Sequence, residues 1–322
     1  MEGKSRRPIP RQWIVRVVGS CLALGLIFWL LPTGEIWAAI RKVPLGLWMG
    51  VLAVFLMGHL VVAIKWWLLA LRGSGVPFSL ALRAHFAGLA ANLCLPGIAG
   101  GDMVRAGLLM KASNDKPRLA VGSLADRLID SLVLFLLACG GAMFLTGSGG
   151  GIAGPLLKTG LFLAAGSFLV VIGLAFADKL PLEGLAGKVV SAAAHFGRRP
   201  GALLLCFGLS VLVQAVFIVL NAVLARSVGL DVGLAVWFFA WPLAKLLALV
   251  PISISGLGVR EAGLAALMAP FDASPAVVVA VGLLWQSVLF ASGLIGALAL
   301  MLSERKARPN PGRDGALELA KR

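Results

Sequence analysis

Charge is scarce in this chain: Asp, Glu, Lys and Arg together make up 13% of 322 residues. Soluble domains carry roughly twice that share, so an ordinary water-soluble globule is excluded. Cysteine is equally sparse. Cys21, Cys94, Cys139 and Cys206 are isolated and lie mostly in apolar segments, so they imply neither a disulfide framework nor a zinc site. His59, His85 and His195 are dispersed, with no His-Glu-x-x-His pair. No G-x-G-x-x-G loop follows a strand, no nucleotide-binding loop for ATP is present, and Ser255-Gly256 lacks the G-x-S-x-G setting and partner histidine of a serine nucleophile. These absences lead us to expect no enzyme activity, no cofactor and no metal.

What the chain has is apolar length. Hydrophobic residues make up 60% of it, and the mean hydropathy is +0.97. Both values are those of an integral membrane protein. The net charge of +15 does not point to nucleic acid, because the basic residues sit at the ends of apolar segments. There they orient the chain and meet anionic lipid headgroups. Lys4, Arg6, Arg7, Arg11 and Arg16 precede the first apolar run, and without a convincing small-x-small cleavage site that run reads as a membrane helix or signal anchor.

The apolar segments fall at 13–31, 45–71, 82–110, 119–146, 155–177, 201–225, 233–268 and 275–302. A helix needs about 20 residues to cross a bilayer. With the N-terminus cytoplasmic, inside segments collect 20 basic residues and outside segments only Arg41, Lys42, Lys158 and Arg226. That bias places both termini inside. The reading that results is all-α: six full spans plus two re-entrant hairpins, 82–110 entered from inside and 233–268 from outside. Span, hairpin and span then recur in opposite directions, the pattern of an inverted repeat. The connectors read as an external glycine-rich loop at 146–154, an internal connector at 178–200 with a short amphipathic piece, and a charged tail at 304–322 that is disordered or lies on the membrane.

Both hairpins are recognised by breaks. In the first, Pro96, Gly97, Gly100 and Gly101 interrupt the helix and Asp102 and Arg105 follow. In the second, Pro251, Ser253, Ser255, Gly256 and Gly258 precede Arg260 and Glu261. Irregular backbone at membrane depth survives only when buried in protein or lining a wet cavity. Each second arm would present a helix N-terminus, a site suited to an anion.

Intramembrane charges are costly, and they usually face an interior. Asp102 and Arg105, three apart, share a helix face and can pair while the guanidinium keeps spare donors. Arg127 and Asp130 also share a face, and Asp126 points partly elsewhere; the cluster reads either as a clamp or as a coupling group. Ser253, Ser255 and Arg260 read as an oxyanion site, or the serines and Glu261 as an N-cap. We expect Lys65 to snorkel to the cytoplasmic face, with Trp66 and Trp67 in an interfacial belt. Lys245 is deeper and harder to dismiss. Asn92, Gln214 and Asn221 are expected to make hydrogen bonds between helices.

The runs Asn92-x-x-Leu95-Pro96-Gly97-x-x-Gly100-Gly101-Asp102-x-x-Arg105, Asp126-Arg127-x-x-Asp130 and Ser255-Gly256-Leu257-Gly258-x-Arg260-Glu261 resemble the membrane domain of lysylphosphatidylglycerol synthetases, the flippase-like family. The resemblance covers nearly the whole chain. In bifunctional members this domain moves aminoacylated phosphatidylglycerol across the bilayer, and a separate soluble domain makes that lipid. The resemblance implies here a stand-alone, single membrane domain over 1–322, with 1–12 and 303–322 cytoplasmic and 13–302 in a bacterial inner membrane. It also implies a flippase-like transporter of an anionic or amphipathic lipid, with Asn92, Pro96, Gly97, Gly100, Gly101, Asp102, Arg105, Asp126, Arg127, Asp130, Ser255, Gly256, Gly258, Arg260 and Glu261 as the family's motif positions. From the residues themselves we expect the headgroup to be held by Asn92, Gly97, Gly100, Gly101, Asp102, Arg105, Ser253, Ser255, Gly256, Arg260 and Glu261, with Asp126, Arg127, Asp130 and Lys245 coupling or structural. The alternative is a non-transporting accessory that presents a lipid or polyprenyl-linked intermediate to a lipid-biosynthesis enzyme.

Overall fold

A computed structural model describes residues 21–22, 25–71, 75–94, 100–110, 112–145, 184, 187, 191, 194, 196–248 and 256–307. Among them there is helix and no strand. After helical residues 25–30 come α1 (Thr33–Arg41) and α2 (Leu45–Trp66), which continues as a π-helical turn to Leu71. Next are α3 (Phe78–Cys94), α4 (Gly100–Met110), α5 (Lys116–Leu145), α6 (Pro200–Ser227), α7 (Leu234–Leu247), α8 (Val259–Met268) and α9 (Pro275–Ala307). Four of these helices are long and apolar enough to cross a membrane: Leu45–Leu71, Lys116–Leu145, Pro200–Ser227 and Pro275–Met301. The chain is a polytopic membrane protein. The expected span 155–177, the loop 146–154, more than half of the connector 178–200 and most of the tail lie outside the described residues. α1 was not anticipated; it starts after Pro32, buries Ile36 and Ala39, and packs on α9.

The same order of elements occurs twice. α2 to α5 begin at 45, 78, 100 and 116, and α6 to α9 begin at 200, 234, 259 and 275, so equivalent starts are 155, 156, 159 and 159 residues apart. The packing repeats as well. α3 pairs with α4 and lies on α9, while α7 pairs with α8 and lies on α5. Where the two sets meet, α2 and α6 run antiparallel: Lys65 of α2 touches Ser210 of α6, and one end away Phe55 stacks on Phe217 at 4.8 Å. α9 is the central helix, with 61% of its most apolar window buried against 28–39% for the other three spans.

Helix crossings in this protein depend on absent Cβ atoms. Water-driven burial does not hold helices together in lipid, so close backbone approach has to contribute. A Cβ on Gly101 would sit 2.3 Å from the Gly88 carbonyl oxygen, and one on Gly88 would sit 2.7 Å from that of Gly101. α3 and α4 therefore touch backbone to backbone. Gly141 of α5 meets the backbone of Phe238 and Phe239 in α7, and Gly296 of α9, 155 residues later, meets that of Phe86 in α3. The break before α8 uses glycine differently: Gly256 and Gly258 have φ of +77° and +82°, a region that side chains disfavour.

Gly101→Val places a branched side chain where only backbone can yield, and overpacking of this kind costs about 1–3 kcal/mol. We expect a lower melting temperature in detergent for Gly101→Val than for Gly107→Val, because a Cβ at Gly107 meets nothing within 4 Å. Equal melting temperatures would contradict the close crossing.

Candidate functional site

The site begins with Lys65, near the end of α2. Its ammonium lies 3.0 Å from Asp126 and 2.5 Å from Asp130, and donates to Ser210 Oγ at 2.8 Å. Asp126 and Asp130 are four residues apart on α5, so one helix face offers both carboxylates to one cation. Lys65 is 1% exposed. It does not snorkel, because two carboxylates in the interior outcompete the distant headgroup region. Trp66 is likewise buried and not in a belt, its ring lying 4.0 Å beneath the Arg105 guanidinium.

The first hairpin joins this cluster through Arg105. As the spacing predicted, Arg105 pairs with Asp102, at 3.3 Å, and it also reaches Asp126 at 3.5 Å. Its Nε has no hydrogen-bond partner among the described residues. Arg127 and Asp130 part company: Arg127 bonds Asp102 across to α4, while Asp130 turns to Lys65. Asn92 closes the hairpin by accepting from the Gly101 N–H at 2.8 Å.

His59 and His85, 26 residues apart in sequence, lie 3.1 Å apart through Nδ1 and Nε2. Arg105 approaches His85 Nδ1 at 3.5 Å. Arg105 only donates, so His85 accepts at Nδ1, carries its proton on Nε2 and donates to His59. The polar chain thus runs from α2 through α3 and α4 to α5 and back to α2.

In the second hairpin Arg260 is held by its neighbour Glu261, by Gln286 Oε1 at 3.1 Å and by the Gly282 carbonyl at 3.3 Å. Glu261 also accepts from the Gly258 N–H at 2.7 Å, so one carboxylate caps α8 and neutralises Arg260. Lys245 of α7 donates to Gln214 of α6 at 2.9 Å, an inter-helix bond as expected of Gln214. Asn221 differs from expectation and bonds Phe217 O within its own helix.

Two cavities adjoin. One of about 160 Å³ is lined by Lys65, Asn92, Gly101, Asp102, Arg105, Asp126, Arg127, Asp130 and Lys245 among others. The other, about 220 Å³, is more aromatic, with Phe55, Trp241, Trp285 and Phe290 beside Arg260 and Gln286. They share His59, Leu89, Asn92, Arg127, Phe217 and Lys245. Of the residues singled out in the sequence, Gly97, Ser253 and Ser255 lie outside the described residues. Gly100 opens α4, and Gly256 forms the turn before α8. Sequence reading missed His59, His85, Ser210 and Gln286. The usable signal was that polar side chains occur inside apolar spans at all.

The model of the family described as lysylphosphatidylglycerol synthase TM region matches residues 13–297. No curated protein and no solved structure matches the chain.

Lys65→Met strands two carboxylates, and removing one partner of a buried ion pair costs about 3–5 kcal/mol. We expect a clear fall in melting temperature, partly recovered when Asp130→Asn is added. A Lys65→Met protein as stable as the wild type would mean that the cluster does not tie the helices.

Proposed function

This chain belongs to the lysylphosphatidylglycerol synthase TM region family, and from that premise we propose that it is a lipid transporter of the flippase-like kind. It moves an anionic or otherwise amphipathic lipid between the leaflets of a bacterial cytoplasmic membrane. The observation that carries this reading is the pair of adjoining cavities, whose shared wall draws on both hairpins, in a chain flanked by membrane-spanning helices. A polar chamber beside an aromatic one matches the two ends of a lipid.

In this reading the pairs α3–α4 and α7–α8 are re-entrant and enter from opposite faces. The 155-residue recurrence and the antiparallel α2 and α6 support an inverted repeat, and the basic-residue bias supports both termini inside. Rocking of one repeat against the other would expose the cavities to each leaflet in turn. No catalytic step is assigned to the chain. The candidates to carry a coupling proton are Asp102, Asp126 and Asp130, which line the polar cavity, and Glu261. A lipid-biosynthesis enzyme is the natural partner on the supply side.

Leaflet exchange of fluorescent phospholipids in proteoliposomes tests the proposal. Leu89→Trp fills the wall common to both cavities without touching a charge. We expect protein-dependent exchange in the wild type and a fall of about tenfold or more in Leu89→Trp at equal folding, from loss of lodging space. No exchange of any lipid by the wild type, with lipid still co-purifying, would favour the non-transporting accessory.

A further inference from the structure

Charge balance singles out one side chain. Around the polar cavity, Lys65, Arg105 and Arg127 face Asp102, Asp126 and Asp130, three cations for three anions, each cation within salt-bridge distance of a carboxylate. Beside the second cavity Arg260 is matched by Glu261. Lys245 is left over. Among the described residues no carboxylate lies within 4 Å of it, and its one hydrogen-bond acceptor is the neutral Gln214 amide. Yet it stands in the wall that both cavities share.

An ammonium inside a membrane-spanning bundle is costly to maintain when the carboxylate whose charge reaches it, Asp130, is bound to Lys65 and Ser210. Arg105 and Arg260, both about 5% exposed, have their charge already met within the protein. A ligand that brought a negative charge to either would add an anion where the charge is already met. At Lys245 it would complete a pair.

We infer that the junction of the two cavities is a binding site for a single negative charge on oxygen, such as a phosphodiester, with Lys245 as its counter-charge. Nothing else on the wall is needed to set that stoichiometry, because among the described residues every other cation that lines the two cavities has a carboxylate within salt-bridge distance. Lys245 therefore selects a monoanionic headgroup over a neutral one. The site is reached from either cavity, so the charge stays compensated while the amphiphile passes from one chamber to the other. This inference rests on the lipid-transport reading for the source of the anion, and on the charge balance for the anion itself.

The full chain in phosphatidylcholine nanodiscs, doped with either phosphatidylglycerol or neutral diacylglycerol, provides the test. Lipid retention is read by native mass spectrometry and stability by melting temperature, and inorganic phosphate is titrated separately. One lost charge-assisted contact corresponds to roughly tenfold in affinity. We expect Lys245→Met to retain phosphatidylglycerol about tenfold less, Lys245→Arg to restore it, and diacylglycerol retention not to fall. Lys245→Met should also melt no lower than the wild type without anionic lipid, and phosphatidylglycerol should raise the melting temperature of the wild type and of Lys245→Arg but not of Lys245→Met. Equal phosphatidylglycerol retention by Lys245→Met and wild type overturns the inference. Lys245-dependent retention without leaflet exchange upholds the site and overturns the transport reading. Saturable, Lys245-dependent binding of inorganic phosphate, with no preference for phosphatidylglycerol, upholds the counter-charge and overturns its lipid source.

Discussion

The ammonium of Lys65 between Asp126 and Asp130 is the interaction on which the rest of this structure depends. Each of these groups is expensive in an apolar bundle, and each is tolerable only because the others are there. Their meeting fixes α2 against α5, and Ser210 adds α6. Asp126 is thereby aimed at Arg105, which brings the first hairpin into the same network. A polar cavity follows, since charged side chains that must satisfy one another cannot also be packed over by aliphatic ones.

The second half solves the same problem with fewer charges. Arg260 and Glu261 neutralise each other within one turn and reach α9 through Gln286 and Gly282. The polar network on one side and the aromatic contacts of Phe55, Phe217, Trp241 and Trp285 on the other leave chambers of different character. Their common wall takes Leu89 and Asn92 from the first hairpin and Lys245 from the second, and the transport proposal lodges the amphiphile there.

Much of this architecture was legible in the sequence. Apolar runs with basic flanks located four spans within a few residues, those at 45–71, 119–146, 201–225 and 275–302, and Pro and Gly beside charges marked both hairpins. Asp102 with Arg105, and Glu261 near the start of α8, followed from helical spacing. Lys65 did not. Its place near the end of the apolar run 45–71 suggested an escape to the membrane surface, because snorkelling is a local argument and the competing carboxylates lie about 60 residues further on. Sharing a face with Asp130 did not identify the partner of Arg127 either, which is Asp102 on another helix, an ion pair of the kind the clamp reading expects.

Hydropathy, charge bias and backbone-breaking residues are properties of short stretches, so the sequence by itself determined that the chain is helical, membrane-spanning and interrupted twice. Which charges neutralise which, that His59 meets His85, and that Lys245 alone stands at the junction without a carboxylate beside it among the described residues, were decided only by tertiary structure. Pairing depends on distances between helices far apart in the chain, and no spacing along one helix encodes them.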